Sequence, residues 1–227
     1  MTRPEDDRRA IAELGRLAAE SGLDVAGGTI RRSSSRFCLG VEHGDYNGTE
    51  LFGVGTDRFI WLACKPNGSD LVRLFSGNFA GDGVVSFTPG RVPSAKSSEI
   101  ADTWARFPCG VDWVLGREGI TLSTGVDVVL HGNIPGGGMS RSASLTLNLL
   151  LSLLEANDIE LDDPMRIAVL AQGAGHEAVV ARVMNRRMKN TVQTEELIRV
   201  VELDLVAGAL GNLHNDVDDA RRPTSGR

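Results

Sequence analysis

Two glycine-punctuated stretches of the chain hold side chains suited to polar ligands. The first is Ser35-Arg36-Phe37-Cys38-Leu39-Gly40-Val41-Glu42-His43-Gly44-Asp45-Tyr46-Asn47-Gly48. Glu42, His43 and Asp45 crowd hydrogen-bonding groups into four positions, beside the only tyrosine of the chain. Vicinal hydroxyls of a sugar need such a set, because each hydroxyl donates and accepts while carboxylates accept bidentately. As a metal site the cluster is poor, since one histidine and two carboxylates in a tight turn lack a second anchor. A plain Asp-Tyr-Asn-Gly hairpin with solvated charges fits the same residues.

The second stretch is Pro135-Gly136-Gly137-Gly138-Met139-Ser140-Arg141-Ser142-Ala143-Ser144. Its glycines permit backbone conformations closed to other residues and let a ligand approach the main chain. Serines at the mouth of the following helix can cap it. Its unpaired N–H groups and dipole make an anion site suited to phosphates. No Walker-type lysine follows, so this is not a P-loop. The Gly-Met-Ser-Arg-Ser run lacks the closing glycine of a hydrolase elbow. A capped helix after a flexible turn remains the alternative.

These segments need elements to hold them. Residues 5–22 predict a helix burying Ile11, Leu14, Leu17 and Ala18, with Gly22 as its stop. Glycine-punctuated apolar runs over 27–64 predict strands. Pro66-Asn67-Gly68 predicts a turn, with 71–76 as the returning strand. The Gly-, Ser- and Pro-rich segment 77–97 reads as loop with one short strand. A helix over 98–117 is expected to bury Ile100, Trp104, Val111 and Val114. One or two strands fall in 119–135. The leucine-rich run after Ser144 predicts a helix buried on most sides. Further helices are expected over 163–182 and 196–210, with a disordered tail over 211–227. The fold class is α+β, with mixed strands covered by helices.

Composition narrows the class of partner. The 227 residues carry a formal charge of −6, with 41% hydrophobic and 24% charged residues. An acidic chain of ordinary composition favours a small-molecule partner over nucleic acid or anionic membrane. The basic stretch Arg182, Arg186, Arg187, Lys189 reads as a solvated helix face. Cys38, Cys64 and Cys109 lack the paired short spacing of a zinc site and read as reduced thiols. No apolar run reaches the length of a membrane span, and the charged N-terminus is unlike a secretory signal. The expected location is the cytoplasm.

Together the two glycine-rich segments resemble the galactokinases of the GHMP kinase superfamily. That family's first signature reads G-R-[VF]-N-[LI]-I-G-E-H-x-D-Y-x-[GN]-G. The chain matches it at Arg36, Leu39, Glu42, His43 and Asp45 to Gly48, and departs at Ser35, Cys38, Gly40, Val41 and Thr49. The family's phosphate loop, P-x-G-x-G-L-S-S-S-A-A-L, is matched in its second half by Gly138 to Leu145, the stretch before it being one residue shorter. Ala171-Gln172-Gly173-Ala174-Gly175-His176-Glu177 echoes the family's Q-x-A-E-H-E.

The resemblance implies a GHMP N-terminal domain over residues 1–177, of the ribosomal S5 domain 2-like type. It leaves 178–227 as a divergent helical segment and tail, with the family's second domain largely missing. It also implies transfer of the ATP γ-phosphoryl group to the anomeric hydroxyl of galactose. Glu42, His43 and Asp45 would hold the sugar, and Arg36 the transferring phosphoryl. Gly136, Gly137, Gly138, Ser140 and Ser142 would wrap the nucleotide phosphates, with Ser142 at Mg²⁺. The family's magnesium-binding Glu falls on Gly175, leaving Glu177 as the substitute ligand. The family's G-x-x-x-G-x-x-D-Q segment, which carries its catalytic Asp, has no counterpart after Glu177, so an impaired copy is expected. A non-catalytic sugar- and nucleotide-binding module, and a kinase for another sugar, are the alternatives.

Overall fold

The computed structural model describes residues 4–40, 52–93, 97–136 and 139–189. In chain order these form α1 (Pro4–Ser21), β1 (Thr29–Gly40), β2 (Phe52–Pro66), β3 (Val72–Ser76), β4 (Val85–Phe87), α2 (Ser98–Ala101), α3 (Arg106–Arg117), β5 (Val126–Gly132), α4 (Arg141–Ala156) and α5 (Pro164–Lys189). The strands make one mixed sheet in the order β1-β2-β5-β3-β4. Among the described residues only the β3–β5 pairing is parallel. The expected α+β class with helix-covered mixed strands is what forms.

Strand alternation divides the core between two faces. Ile60, Leu62 and Cys64 of β2 join Leu74, Val128 and Leu130 beneath α3, α4 and α5. Phe59, Trp61 and Ala63 join Phe75 and Val129 beneath α1. The stripe of α1 is Ala10, Leu14, Leu17 and Ala18, whereas Ile11, expected to be buried, is 44% exposed. Position 10 lies on the same line as 14 and 17, and Ile11 is one step off it.

Two local expectations give way to tertiary structure. β3 runs back beside β2's course, but β5 lies between them. Asn67 N donates to Gly125 O at 3.0 Å and Gly125 N to Ser69 O at 2.9 Å, so the turn is stitched to β5. The single helix expected over 98–117 is broken between α2 and α3. Pro108 has no N–H, and its ring would clash with the Trp104 carbonyl in a continuous helix. At the first turn of α3 that missing donor is tolerated. Ile100, Trp104, Val111 and Val114 are all buried, as the spacing required.

α5 begins at Asp163-Pro164, where the Asp163 carboxylate accepts Met165 N at 2.8 Å. It runs past residue 178 without a break. It lies close against α3: a Cβ on Gly110 would stand 2.7 Å from Ala174 O, so only glycine fits that crossing. The helix and tail expected over 196–210 and 211–227 lie outside the described residues.

Candidate functional site

β1 and β2 continue beyond β5 as a two-stranded ribbon, because β5 pairs only with residues 60–66 of β2. Arg36 sits on this ribbon, paired with Gly55 and exposed. The register slips just before it, with Ser34 opposite Phe59 but Arg36 opposite Gly55. Residues 56–58 therefore bulge against the single residue Ser35, whose buried hydroxyl bonds Thr56 Oγ1. Such bulges re-aim the neighbouring side chains. The ribbon leads into Glu42, His43 and Asp45, which lie outside the described residues.

The glycine-rich segment leaves the sheet at the end of β5. Asn133 fixes its start, giving its N–H to Phe59 O at 3.0 Å and accepting Phe59 N at 2.8 Å on its side-chain oxygen. Ile134 is buried and Met139 packs against the same core, so the loop is anchored on both flanks. Gly136 lies between these anchors; Gly137 and Gly138 are outside the described residues. Ser140 then takes a left-handed conformation, φ 54° and ψ 31°, unusual for a residue with a side chain.

The structure corrects the expected serine capping. The Ser140 side chain makes no capping hydrogen bond, and no acidic residue occupies the first turn of α4. Ser142 is exposed on that turn. Ser140 thus leaves the first N–H groups of α4 uncapped by its own side chain, and helix N-termini of that kind can serve as anion sites. Arg141, which stands where the galactokinase signature has a serine, places its guanidinium carbon 5.9 Å from the Phe79 ring centre.

The first turns of α4 are tied to β1. Ser144 Oγ contacts Ser34 O at 2.7 Å and Ser140 O at 3.1 Å. Ser33 Oγ donates to Ser144 O at 2.8 Å. Asn148 Nδ2 donates to Ile60 O at 3.1 Å and to Ser33 Oγ at 3.3 Å. The strand of Arg36 and the helix of Ser140 and Ser142 are therefore one hydrogen-bonded unit. Sequence reasoning passed over Ser33, Asn133 and Asn148, and took Ser144 only as one of the serines at the helix mouth. The signal was the polar series 144, 148, 152 in a leucine-rich helix, all of whose members are buried.

Glu177 is not brought to this unit. It faces α3, 3.8 Å from Arg117 Nη1, and borders a small crevice with Pro93, Arg106 and Trp113. Gly175 is the residue facing α4: a Cβ there would stand 3.8 Å from Thr146 Oγ1, which donates to Ser142 O at 3.0 Å. Residues two apart on a helix point to different sides. The expected Mg²⁺ site at Ser142 and Glu177 therefore does not assemble. A hard cation wants carboxylate or other oxygen ligands, and Gly175 offers none. Among the described residues no group of three or more His, Cys, Asp or Glu side chains gathers as a metal would need.

Comparison with known proteins agrees with this architecture. Residues 110–185 match the model of the GHMP kinases N terminal domain. The galactokinase of Streptococcus mutans is 34% identical over 131 residues, covering 57% of this chain and 33% of that protein. That of Bacillus subtilis is 32% identical over 134 residues, covering 59% and 33%. The chain thus spans about a third of the length of the curated relatives it matches. The structure of Lactococcus lactis galactokinase complexed with galactose superposes with a TM-score of 0.63 at 26% identity, covering 74% of this chain and 42% of that one. The Methanococcus jannaschii mevalonate kinase shares the fold, with a TM-score of 0.57 at 17% identity over 70% of this chain and 51% of that one.

The fold is that of the GHMP kinase N-terminal domain. Within that class, the chain resembles the N-terminal portion of galactokinases.

Proposed function

We propose that the chain is a galactokinase-like sugar-kinase domain, with the phosphates of ATP docked at Gly136–Ser142 and galactose held by Glu42, His43 and Asp45. The observation that carries this reading is the hydrogen-bonded junction of β1 with the mouth of α4. It couples β1, the strand of Arg36, to the helix that follows the glycine-rich loop. ATP supplies the γ-phosphoryl group and galactose the accepting anomeric hydroxyl. The uncapped N–H groups of α4 receive phosphate oxygens, which costs little reorganisation because the loop is already anchored by Ile134 and Met139. Arg36 stabilises charge on the transferring group, a role suited to a planar guanidinium. The bulge before it supplies the aim.

The copy is impaired for phosphoryl transfer. Position 175 carries no carboxylate, and no segment after Glu177 matches the family stretch bearing the catalytic Asp. The cytoplasm is the compartment that suits it. Cys64 and Cys109 are free and buried, and burial pushes both thiols up to about 12, which keeps them inert.

The test is a Gly138→Val variant of the full chain, titrated calorimetrically with ATP. Loss of ATP binding with an unchanged circular dichroism spectrum supports the loop as the phosphate site. Unchanged affinity removes it.

A further inference from the structure

We infer that the apolar face of the β1–β2 ribbon is a docking surface for this chain's own residues 197–206. Strand alternation builds the face. Phe37 lies four residues beyond Ser33 on β1, so it points to the side of the sheet on which Ser33 bonds α4. Val54 is its cross-strand partner, and Leu39 follows on β1. Phe37, Val54 and Leu39 are 47%, 43% and 53% exposed, so this end of the ribbon holds three large apolar side chains about half in water.

The course of α5 brings the chain to the same end. Ile167 borders one groove with Leu151 and Leu154, whereas Gly175 lies beside Thr146, so α5 runs antiparallel to α4. β1 also runs antiparallel to α4, since Arg31 meets Glu155 and Ser33 meets Ser144. From Thr146 back to the start of α4 at Arg141 is about 8 Å of helix, and from Gly175 on to Lys189 about 21 Å. The ribbon and the end of α5 therefore project past the start of α4 in one direction, and residues 190–227 depart from there.

The run Leu197-Ile198-Arg199-Val200-Val201-Glu202-Leu203-Asp204-Leu205-Val206, outside the described residues, has seven large apolar residues in ten. Water disfavours leaving such a run exposed. Leu197 is within about 25 Å of Lys189 along an extended chain, which is enough to cross to the ribbon end. Three half-exposed side chains fall well short of the roughly 800 Å² per partner that a stable pair of separate chains buries. A tethered segment needs less contact, because a short linker gives it an effective concentration on the order of millimolar. The chain's own segment therefore fits this face better than a second copy does.

The experiment substitutes Phe37→p-benzoylphenylalanine in the full chain, which keeps an aromatic ring there, and maps the cross-link formed on irradiation. A cross-link within one chain to residues 197–206 is expected. In the unsubstituted chain, hydrogen exchange at the amides of 197–206 should be slowed about tenfold or more relative to an unprotected peptide. A Phe37→Glu, Val54→Glu double variant should lose that protection while β5 keeps its own. Where the double variant also loses protection in β5, the cross-link alone decides. Cross-links between two chains assign the face to a second copy and overturn the inference. So do cross-links confined to other segments, no protection over 197–206, or protection that the folded double variant retains.

Discussion

The hydroxyl of Ser144 stands 2.7 Å from the carbonyl oxygen of Ser34, joining the first turn of α4 to β1 across 110 residues of chain. Ser34 is two residues before Arg36, and Ser144 two after Ser142. This bond, with those of Ser33 and Asn148, ties the ribbon to the start of α4. Replacing Ser144 with Ala should remove it without opening a cavity. The cost should be about 1 kcal/mol of stability, which lowers the melting temperature by roughly 2–4 °C in a chain of this size. A thermal melt unchanged from the parent would show that the junction is held by Asn148 and Ser33 alone.

The pH dependence of stability has an identifiable contributor in α3. Asp112 is buried, and burial raises its pKa above the ordinary 3.8, against the opposing bond from Gly90 N. A carboxyl with a raised native pKa binds protons more readily when folded. Its contribution therefore favours the fold at acid pH and is lost as the pH rises through the native value. Asp112→Asn keeps an acceptor for Gly90 and cannot ionise. It should melt above the parent at pH 7, and the difference should shrink on acidification until it levels off below pH 3.8. A difference that grows on acidification would contradict this assignment. Asp7 acts in the opposite sense, because the Trp61 indole and the Arg32 guanidinium hold its carboxyl below 3.8.

Phosphoryl transfer depends mainly on positioning and charge stabilisation, yet the attacking hydroxyl must still be oriented and lose its proton. In the proposed function, Arg36 and the α4 mouth would supply the stabilisation. No residue after Glu177 matches the family's base-bearing segment. Absence of a positioned acid–base group costs about 10²–10⁴-fold in rate. With galactose and ATP, the 227-residue protein should form galactose 1-phosphate slowly or undetectably when followed by phosphorus NMR. Turnover of roughly 1–100 per second, ordinary for a kinase, would mean that another residue serves as base.

Much of this organisation was legible in the sequence, where short-range rules govern. Gly22 stops α1 after Ser21, and the leucine run of α4 is buried as its composition demands. The glycine-serine segment does lead into α4. What failed was non-local or depended on facing. Nothing near Pro66 reveals that β5, sixty residues on, will lie between β2 and β3. Pro108 was visible, but whether it sits inside a helix or at its start is decided by the Trp104 turn packing into the core. The direction of Glu177 was available from the helical period alone, since positions 175 and 177 cannot face one partner. The polar series 144, 148, 152 was equally visible, although its partners on β1 and β2 were not.

The sugar assignment is tested most directly by calorimetric titration of galactose into the full chain and into Asp45→Ala. Galactose should bind the parent, and Asp45→Ala should lose about 1.5–3 kcal/mol, the cost of one hydrogen bond to a charged group. A parent that ignores galactose but binds arabinose would contradict the assignment, and so would an Asp45→Ala variant that binds galactose as tightly as the parent.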